Sequence, residues 1–211
     1  MSKEQFGFLD GRQIHEVIGV AQETIHSIKQ KKSKGAVVKT DLLKAFDRVS
    51  WMYIQMLLTH LGFQIDFINW VMGFLTSVSF TVLVNGAASS FFQGQRGLRQ
   101  GCPLSPFLFL LAVEGLSQLL LEAIRKGDIK GLEVEINLKI THLLFMDDIL
   151  LFSNGRRSET HELKRILDLF LKATGVQVNK EKSQLLLEGF NRLEENKTKE
   201  DLPFEDWKLE K

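Results

Sequence analysis

Cysteine is almost missing from this chain: Cys102 stands alone among 211 residues. A single thiol excludes a disulfide framework and a zinc site of the cysteine–histidine type. The five histidines, His15, His26, His60, His142 and His161, fall in no ligand spacing and are expected at the surface or as hydrogen-bonded core residues. Excess charge of one sign is missing too. Against 26 acidic side chains there are 27 basic ones, so no overall basic field exists and any nucleic-acid contact must come from a local patch. Lys29-Gln30-Lys31-Lys32-Ser33-Lys34 is such a patch; the run suits phosphate contact, nuclear import or a solvated loop equally. No secretory signal opens the chain, and with the lone cysteine this fits an intracellular home, nuclear or cytoplasmic. The most apolar stretch, Phe107 to Leu121, carries Glu114 and is expected to be too short to span a bilayer, hence a buried helix with no membrane partner. Internal repeats are absent. An apolar share of 44% excludes disorder throughout and is enough for one core.

What is present is a regular succession of short apolar runs and helical stripes. Ile14, Val17, Ile18, Ala21, Ile25 and Ile28 recur at helical spacing and predict a helix that packs on a sheet. Ala36 to Thr40 reads as a strand, Val49 to Leu61 as a helix stopped by Gly62, and Asp66 to Leu75 as a second helix. Ser79 to Val84 and Ser89 to Gln93 flank Asn85-Gly86, a strong hairpin signal. Pro103 and Pro106 lead into a helix over Phe107 to Arg125. Leu132 to Ile136, Lys139 to Phe145 and Ile149 to Ser153 read as strands, Glu159 to Ala173 as an amphipathic helix ended by Gly175, and Val176 to Val178 and Gln184 to Leu187 as closing strands. Hairpins mixed with crossovers predict an α+β domain, an antiparallel sheet backed by helices. From Asn191 onward charged residues outnumber apolar ones, with Leu193, Leu202, Phe204, Trp207 and Leu209 as the only anchors, so residues 191–211 are expected to be loose.

Chemistry concentrates where carboxylates meet strand ends. Phe145-Met146-Asp147-Asp148 lies between two strand-length apolar runs, which places two adjacent acids at a hairpin tip. Such a pair serves either as a polar turn or as a metal ligand, because adjacent carboxylates repel and are held ionised by a divalent cation. Upstream, Ala36-Val37-Val38-Lys39-Thr40-Asp41 is a strand ending in an acid. If the two strands are neighbours, Asp41 joins Asp147 and Asp148 in a three-carboxylate cage for two ions, a phosphoryl-transfer design. Between these blocks runs Arg96-Gly97-Leu98-Arg99-Gln100-Gly101-Cys102-Pro103-Leu104-Ser105-Pro106, a basic loop whose glycines let backbone approach a ligand and whose arginines suit phosphate.

In this order the blocks resemble the palm of a reverse transcriptase of the non-LTR, LINE-type retrotransposon class, in wording nearest to plant elements. Matching are Lys39 to Trp51, Arg96 to Pro106, Leu144 to Asp148 and Thr174 to Ser183, and Gln5-Phe6-Gly7-Phe8 with Gly11-Arg12 resembles the segment before the palm. The resemblance implies an RNA-directed DNA polymerase with a polymerase palm over residues 36–190, a partial fingers segment over 1–35, and a tail over 191–211. Its partners would be an RNA template, a DNA primer and dNTPs, and its cofactor two Mg²⁺ ions, with Mn²⁺ as a substitute. By the same resemblance Asp41, Asp147 and Asp148 are the catalytic and metal-binding aspartates. Lys182 is the general acid for the leaving pyrophosphate, or an exposed lysine. Phe46 is a steric gate against a nucleotide 2′-hydroxyl, or a core aromatic. Gln100 and Gly101 belong to the nucleotide pocket, or to a simple loop, and Arg96 and Arg99 meet phosphates, or solvent. Asp47 and Arg48 are expected to pair or cap locally. Met146 stands where the family normally has alanine, a change of fit rather than a loss. The competing class is a non-enzymatic remnant of such a palm that binds nucleic acid or protein.

Overall fold

The structure is a computed structural model that describes residues 1–135 and 138–207. Its elements follow in chain order. Helix α1 (Ile14–Lys31) precedes strand β1 (Gly35–Leu43), the single turn α2 (Ala45–Arg48), and helices α3 (Trp51–His60) and α4 (Ile65–Thr76). An arm of four two-residue strands comes next, β2 (Ser79–Phe80), β3 (Leu83–Val84), β4 (Ala87–Ala88) and β5 (Phe92–Gln93), and leads to helix α5 (Leu104–Lys126). Then come β6 (Leu132–Glu135), β7 (Leu138–Ile140), β8 (His142–Phe145) and β9 (Asp148–Ser153), followed by α6 (Arg157–Thr174), β10 (Gln177–Val178), β11 (Gln184–Glu188), α7 (Arg192–Asp201) and β12 (Glu205–Asp206).

The main sheet has the order β12-β11-β1-β9-β8, with β10 also paired to the end of β1. It is antiparallel except between β11 and β12, so the expected α+β architecture stands. Strand β1 lies between β11 and β9, and its first four residues are buried, which is why that stretch is apolar without a break. Alternation then divides the side chains. Val38 and Leu42 join Leu144, Ile149, Leu151 and Leu185 in the larger core under α3, α5 and α6. Val37, Leu143 and Phe152 face the other way, against Val17, Ala21, Ile25 and Ile28 of α1. That helical cover stops short of the far end of β1, where Asp41 is half-buried and Asp148 opposite it is exposed.

Several boundaries differ from the sequence expectation. Helix α3 starts at Trp51 rather than Val49 because extended Ser50 caps it, its hydroxyl accepting from the Tyr53 amide at 3.4 Å. The apolar helix runs 23 residues from Leu104, long and apolar enough to cross a membrane, so the expectation that it is too short is wrong. Its character as a core helix rests on burial instead: Leu108, Phe109, Val113, Leu116 and Leu120 all sit in the larger core. Each such side chain contributes about 1.5–3 kcal/mol. The run Lys139 to Phe145 divides at Thr141 into β7, which pairs with β6, and β8, which pairs with β9. Ser79 to Val84 likewise breaks in two, although Asn85 and Gly86 do make the expected tight turn, both with positive φ. The expected strand end at Ile136 and the anchor Leu209 lie outside the described residues.

Residues 191–207 are not loose. Asn191 and Glu194 form a capping box that starts α7, Leu202 is buried in the larger core with Phe204 packed against it, and the Trp207 amide donates to the Leu185 carbonyl at 2.9 Å. A few well-placed apolar anchors outweigh the polar composition. The lysine run also serves structure in part: Lys31 donates to the Val134 carbonyl, and Lys34 pairs with Glu194 at 2.7 Å while lying over the Phe190 ring.

Candidate active site

Strands β8 and β9 are joined by Met146 and Asp147, with Phe145 and Asp148 as the last pair below the turn. The next strand over sets Asp41 directly opposite Asp148. Residues that face each other across an antiparallel ladder send their side chains to one face, with Cβ atoms about 5 Å apart. Asp41 and Asp148 thus share the open face of the sheet and Asp147 stands one residue away, at the tip. Burial raises the Asp148 pKa; Lys39 opposes this, the neighbouring carboxylates of Asp147 and Asp41 raise it further, and Lys182 lowers it. Four charged groups therefore act on Asp148 here. The expected cage is not closed, however: among the described residues no group of three or more His, Cys, Asp or Glu side chains stands close enough to hold an ion.

The loop carrying Lys182 is tied to Asp41 through backbone. The Asn179 amide donates to the Asp41 carbonyl at 2.8 Å, and the Asp41 amide donates to the Ser183 hydroxyl at 3.1 Å. Ser183, fully buried, donates its own hydroxyl hydrogen bond to the Asn179 carbonyl at 2.8 Å. Lys182, exposed, is held between these two anchors.

The basic loop docks on the turn that follows β1. Gly97 donates to the Val49 carbonyl at 2.8 Å, Leu98 to the Phe46 carbonyl at 2.6 Å, and the Trp51 indole to the Gly97 carbonyl at 2.6 Å. Gly97 has φ +91°, and a Cβ there would stand 2.7 Å from the Asp47 carbonyl oxygen. Replacing it with alanine is expected to cost about 2–4 kcal/mol, through both the backbone conformation and the clash. A urea midpoint unchanged in Gly97→Ala would show that the loop is not docked in solution.

Asp47 does not pair with Arg48. Its Oδ1 accepts from the Gln100 amide at 3.1 Å, because the docked loop brings Gln100 over the start of α2. The Arg48 Nε is buried and has no hydrogen-bond partner among the described residues. Arg96, Arg99 and Gln100 line an open cavity of about 880 Å³ together with Asp47, Trp51 and Phe80. Asp41, Asp147 and Asp148 do not line it. Phe46 is half-buried and stacks on Phe109 at 4.7 Å between ring centres, so the core-aromatic reading holds at least for one face of the ring. Gly101 has φ +79° and open space around it.

With this geometry in hand, the sequence pattern of the reverse transcriptase (RNA-dependent DNA polymerase) family matches residues 1–204. The chain belongs to that family. Its relatives include proteins of non-LTR retrotransposons: it is 29% identical over 183 residues to the retrovirus-related Pol polyprotein of the type-1 retrotransposable element R2 of Popillia japonica, covering 86% of this chain and 25% of that one. The plant likeness is confined to part of the sequence. An uncharacterized mitochondrial protein of Arabidopsis thaliana, AtMg01250, is 48% identical over 67 residues, 31% of this chain and 55% of its own. Among solved structures the fold resembles telomerase from Candida albicans in complex with a fragment of telomeric RNA, with TM-score 0.62 and 14% identity over 90% of this chain and 32% of that one. This reverse transcriptase domain thus spans a quarter to about half of the length of those two relatives.

Three participants escaped the sequence reading of this reverse transcriptase domain. Lys39 lies two residues before Asp41 and so shares its face, a consequence of strand alternation that was available in the sequence. Ser183 and Asp47 act across long sequence separations, and Asp47, expected from sequence only to pair or cap locally, gave no sign of its contact with Gln100.

Proposed function

We propose that this chain is the catalytic core of an RNA-directed DNA polymerase that extends a DNA primer on an RNA template from dNTPs, in the retrotransposition of a LINE-type element, inside the nucleus or cytoplasm. The observation that carries this is the register of Asp41 against Asp148 with Asp147 beside them, on an uncovered sheet face. Burial raises the Asp148 pKa and the charges of Asp147 and Asp41 add to it, so a cation seated here would be favoured. Asp41, Asp147 and Asp148 would hold two Mg²⁺ ions once their side chains converge. When bound, such ions ease loss of the primer 3′-hydroxyl proton and neutralise charge on the triphosphate.

The chain's own groups do the rest. The primer 3′-oxygen attacks the α-phosphorus while the bond to pyrophosphate breaks, and Lys182, on its anchored loop, supplies the proton that the leaving pyrophosphate takes up. Gln100, held by Asp47, and Gly101 border the incoming nucleotide, and Arg96 and Arg99 meet phosphates of template or triphosphate. Phe46, half-buried and braced by its stacking on Phe109, would stand against the sugar. Phe46→Val is expected to raise incorporation of ribonucleotides relative to deoxynucleotides on the order of 10–100-fold, read by competing the two in primer extension. An unchanged ratio would leave Phe46 a core aromatic only. Residues 36–190 would be the palm and 1–35 the end of the fingers, with 191–207 an appendage to the palm.

The direct test is extension of a DNA primer annealed to RNA by the purified chain, with and without Mg²⁺. Product that depends on both metal and dNTPs is expected. RNA binding without any extension would instead mark a nucleic-acid-binding remnant.

A further inference from the structure

The block Gln5-Phe6-Gly7-Phe8 with Gly11-Arg12 has no task in the scheme above, yet the fold gives it a defined place. Ser2 fastens one end: its amide and hydroxyl donate to the buried Glu114 carboxylate on α5 at 2.8 and 3.1 Å, and Gln118 donates to the same group at 2.8 Å. The Leu144 amide then donates to the Glu4 carbonyl at 2.8 Å, and the Phe6 amide to the Leu144 carbonyl at 2.9 Å. Residues 4–6 therefore run parallel to β8 as an extra rung on the strand that leads into the acidic turn. Gln5, wholly buried, accepts the Gly7 amide on its side-chain oxygen at 3.2 Å. Arg12 closes the loop on itself by donating to the carbonyls of Ser2, at 2.6 Å, and of Gln5.

This arrangement brings Gly7 against the turn. A Cβ at Gly7 would lie 3.0 Å from the Met146 amide nitrogen and 3.3 Å from its Cγ. Met146 has φ +56°, a conformation that side-chain-bearing residues rarely adopt and that persists only where the surroundings impose it. We propose that residues 2–12 form a strap that sets the backbone of the Met146-Asp147 turn, with Gly7 as the positioning residue that lets the strap lie flush against it. A side chain at position 7 would displace Met146 and, with it, the carboxylate of Asp147. Arg12 acts at one remove, by keeping the strap folded. The proposal deepens the polymerase reading and rests on it for its functional consequence, though not for its structural one.

The test compares the full chain with Gly7→Ala, Arg12→Lys and the double variant Gly7→Ala/Met146→Gly. Two quantities are read: amide hydrogen exchange across residues 144–149, and the dissociation constant for Mn²⁺ followed by its paramagnetic resonance signal. Gly7→Ala is expected to speed exchange at 146–148 at least tenfold while exchange in α5 and α6 stays as it was, and to weaken Mn²⁺ binding at least tenfold. The double variant is expected to recover part of both, since glycine at 146 removes the Cγ contact and tolerates the positive φ, which lets the turn yield at the remaining contact with its amide nitrogen. If Gly7→Ala does not fold, Arg12→Lys must show the same local acceleration. Unchanged exchange at 146–148 overturns the strap, as does acceleration spread evenly over the sheet without recovery in the double variant. A parent chain that binds no Mn²⁺ would refute the metal reading alone, because the exchange measurements still decide the strap.

Discussion

Asp147→Asn is expected to abolish Mg²⁺-dependent primer extension and yet leave the chain at least as stable as the parent. The two halves have one cause. Asp147, Asp41 and Asp148 crowd negative charge onto one end of the sheet, where burial, and after it the charges of Asp147 and Asp41, raise the Asp148 pKa. Asparagine keeps the shape and removes one charge, so repulsion falls and the folded state gains a few tenths of a kcal/mol, up to about 1. The same change takes a hard anionic ligand from the ion seat. Loss of several kcal/mol of transition-state stabilisation corresponds to a rate drop on the order of 10²–10³ or more. Thermal unfolding at pH 7 and primer extension, run on one preparation, check both parts. Extension at the parental rate would remove Asp147 from the machinery, and a marked fall in unfolding temperature would make it a structural residue.

Acidification is expected to destabilise the fold through His142. This side chain is fully buried on β8, its Nε2 2.7 Å from the Ser117 hydroxyl and its Nδ1 2.9 Å from that of Thr141. Burial lowers its pKa to about 4, whereas in the unfolded chain it titrates near 6.5. Between those values the unfolded chain carries the extra proton, so stability from this residue is present in full above pH 6.5 and drains away as pH falls toward 4. The loss amounts to roughly 3 kcal/mol, at 1.36 kcal/mol per pH unit. Urea unfolding at a series of pH values should show that slope in the parent chain. In His142→Gln it should be largely flattened, since an amide also hydrogen-bonds both hydroxyls but takes up no proton. An equal slope in the variant would transfer the effect to other groups. His142 is thus one of the satisfied core histidines that the scattered spacing suggested.

Legibility followed the range of the forces involved. Patterns set by neighbours in sequence were readable: the alternation of β1, the apolar runs around Asp147 and Asp148, the Asn85-Gly86 turn, and the stripe of α1. Ends were less so, as with α5, where Leu104 to Pro106 belong to the helix because Pro103 sits at its cap. The tail misled because its composition is polar, although Asn191 and Glu194 form a cap readable from sequence and Leu202 reaches the core, with Phe204 packed against it. What no local pattern disclosed was pairing at a distance: Asp47 with Gln100, and Asp41 with the Asn179–Ser183 loop. Those contacts exist because tertiary docking superposes loops that lie far apart in sequence.

The pairing of β1 with β9 also protects the chemistry against subtle error. Because side chains alternate along a strand, a slip of one residue would drive the carboxylate of Asp41 into the oily layer beneath and push Leu42 out into water, a penalty of several kcal/mol. Nearly assembled but misaligned forms are therefore too costly to accumulate, and the same apolar packing that holds the domain together proofreads the spacing of its acids.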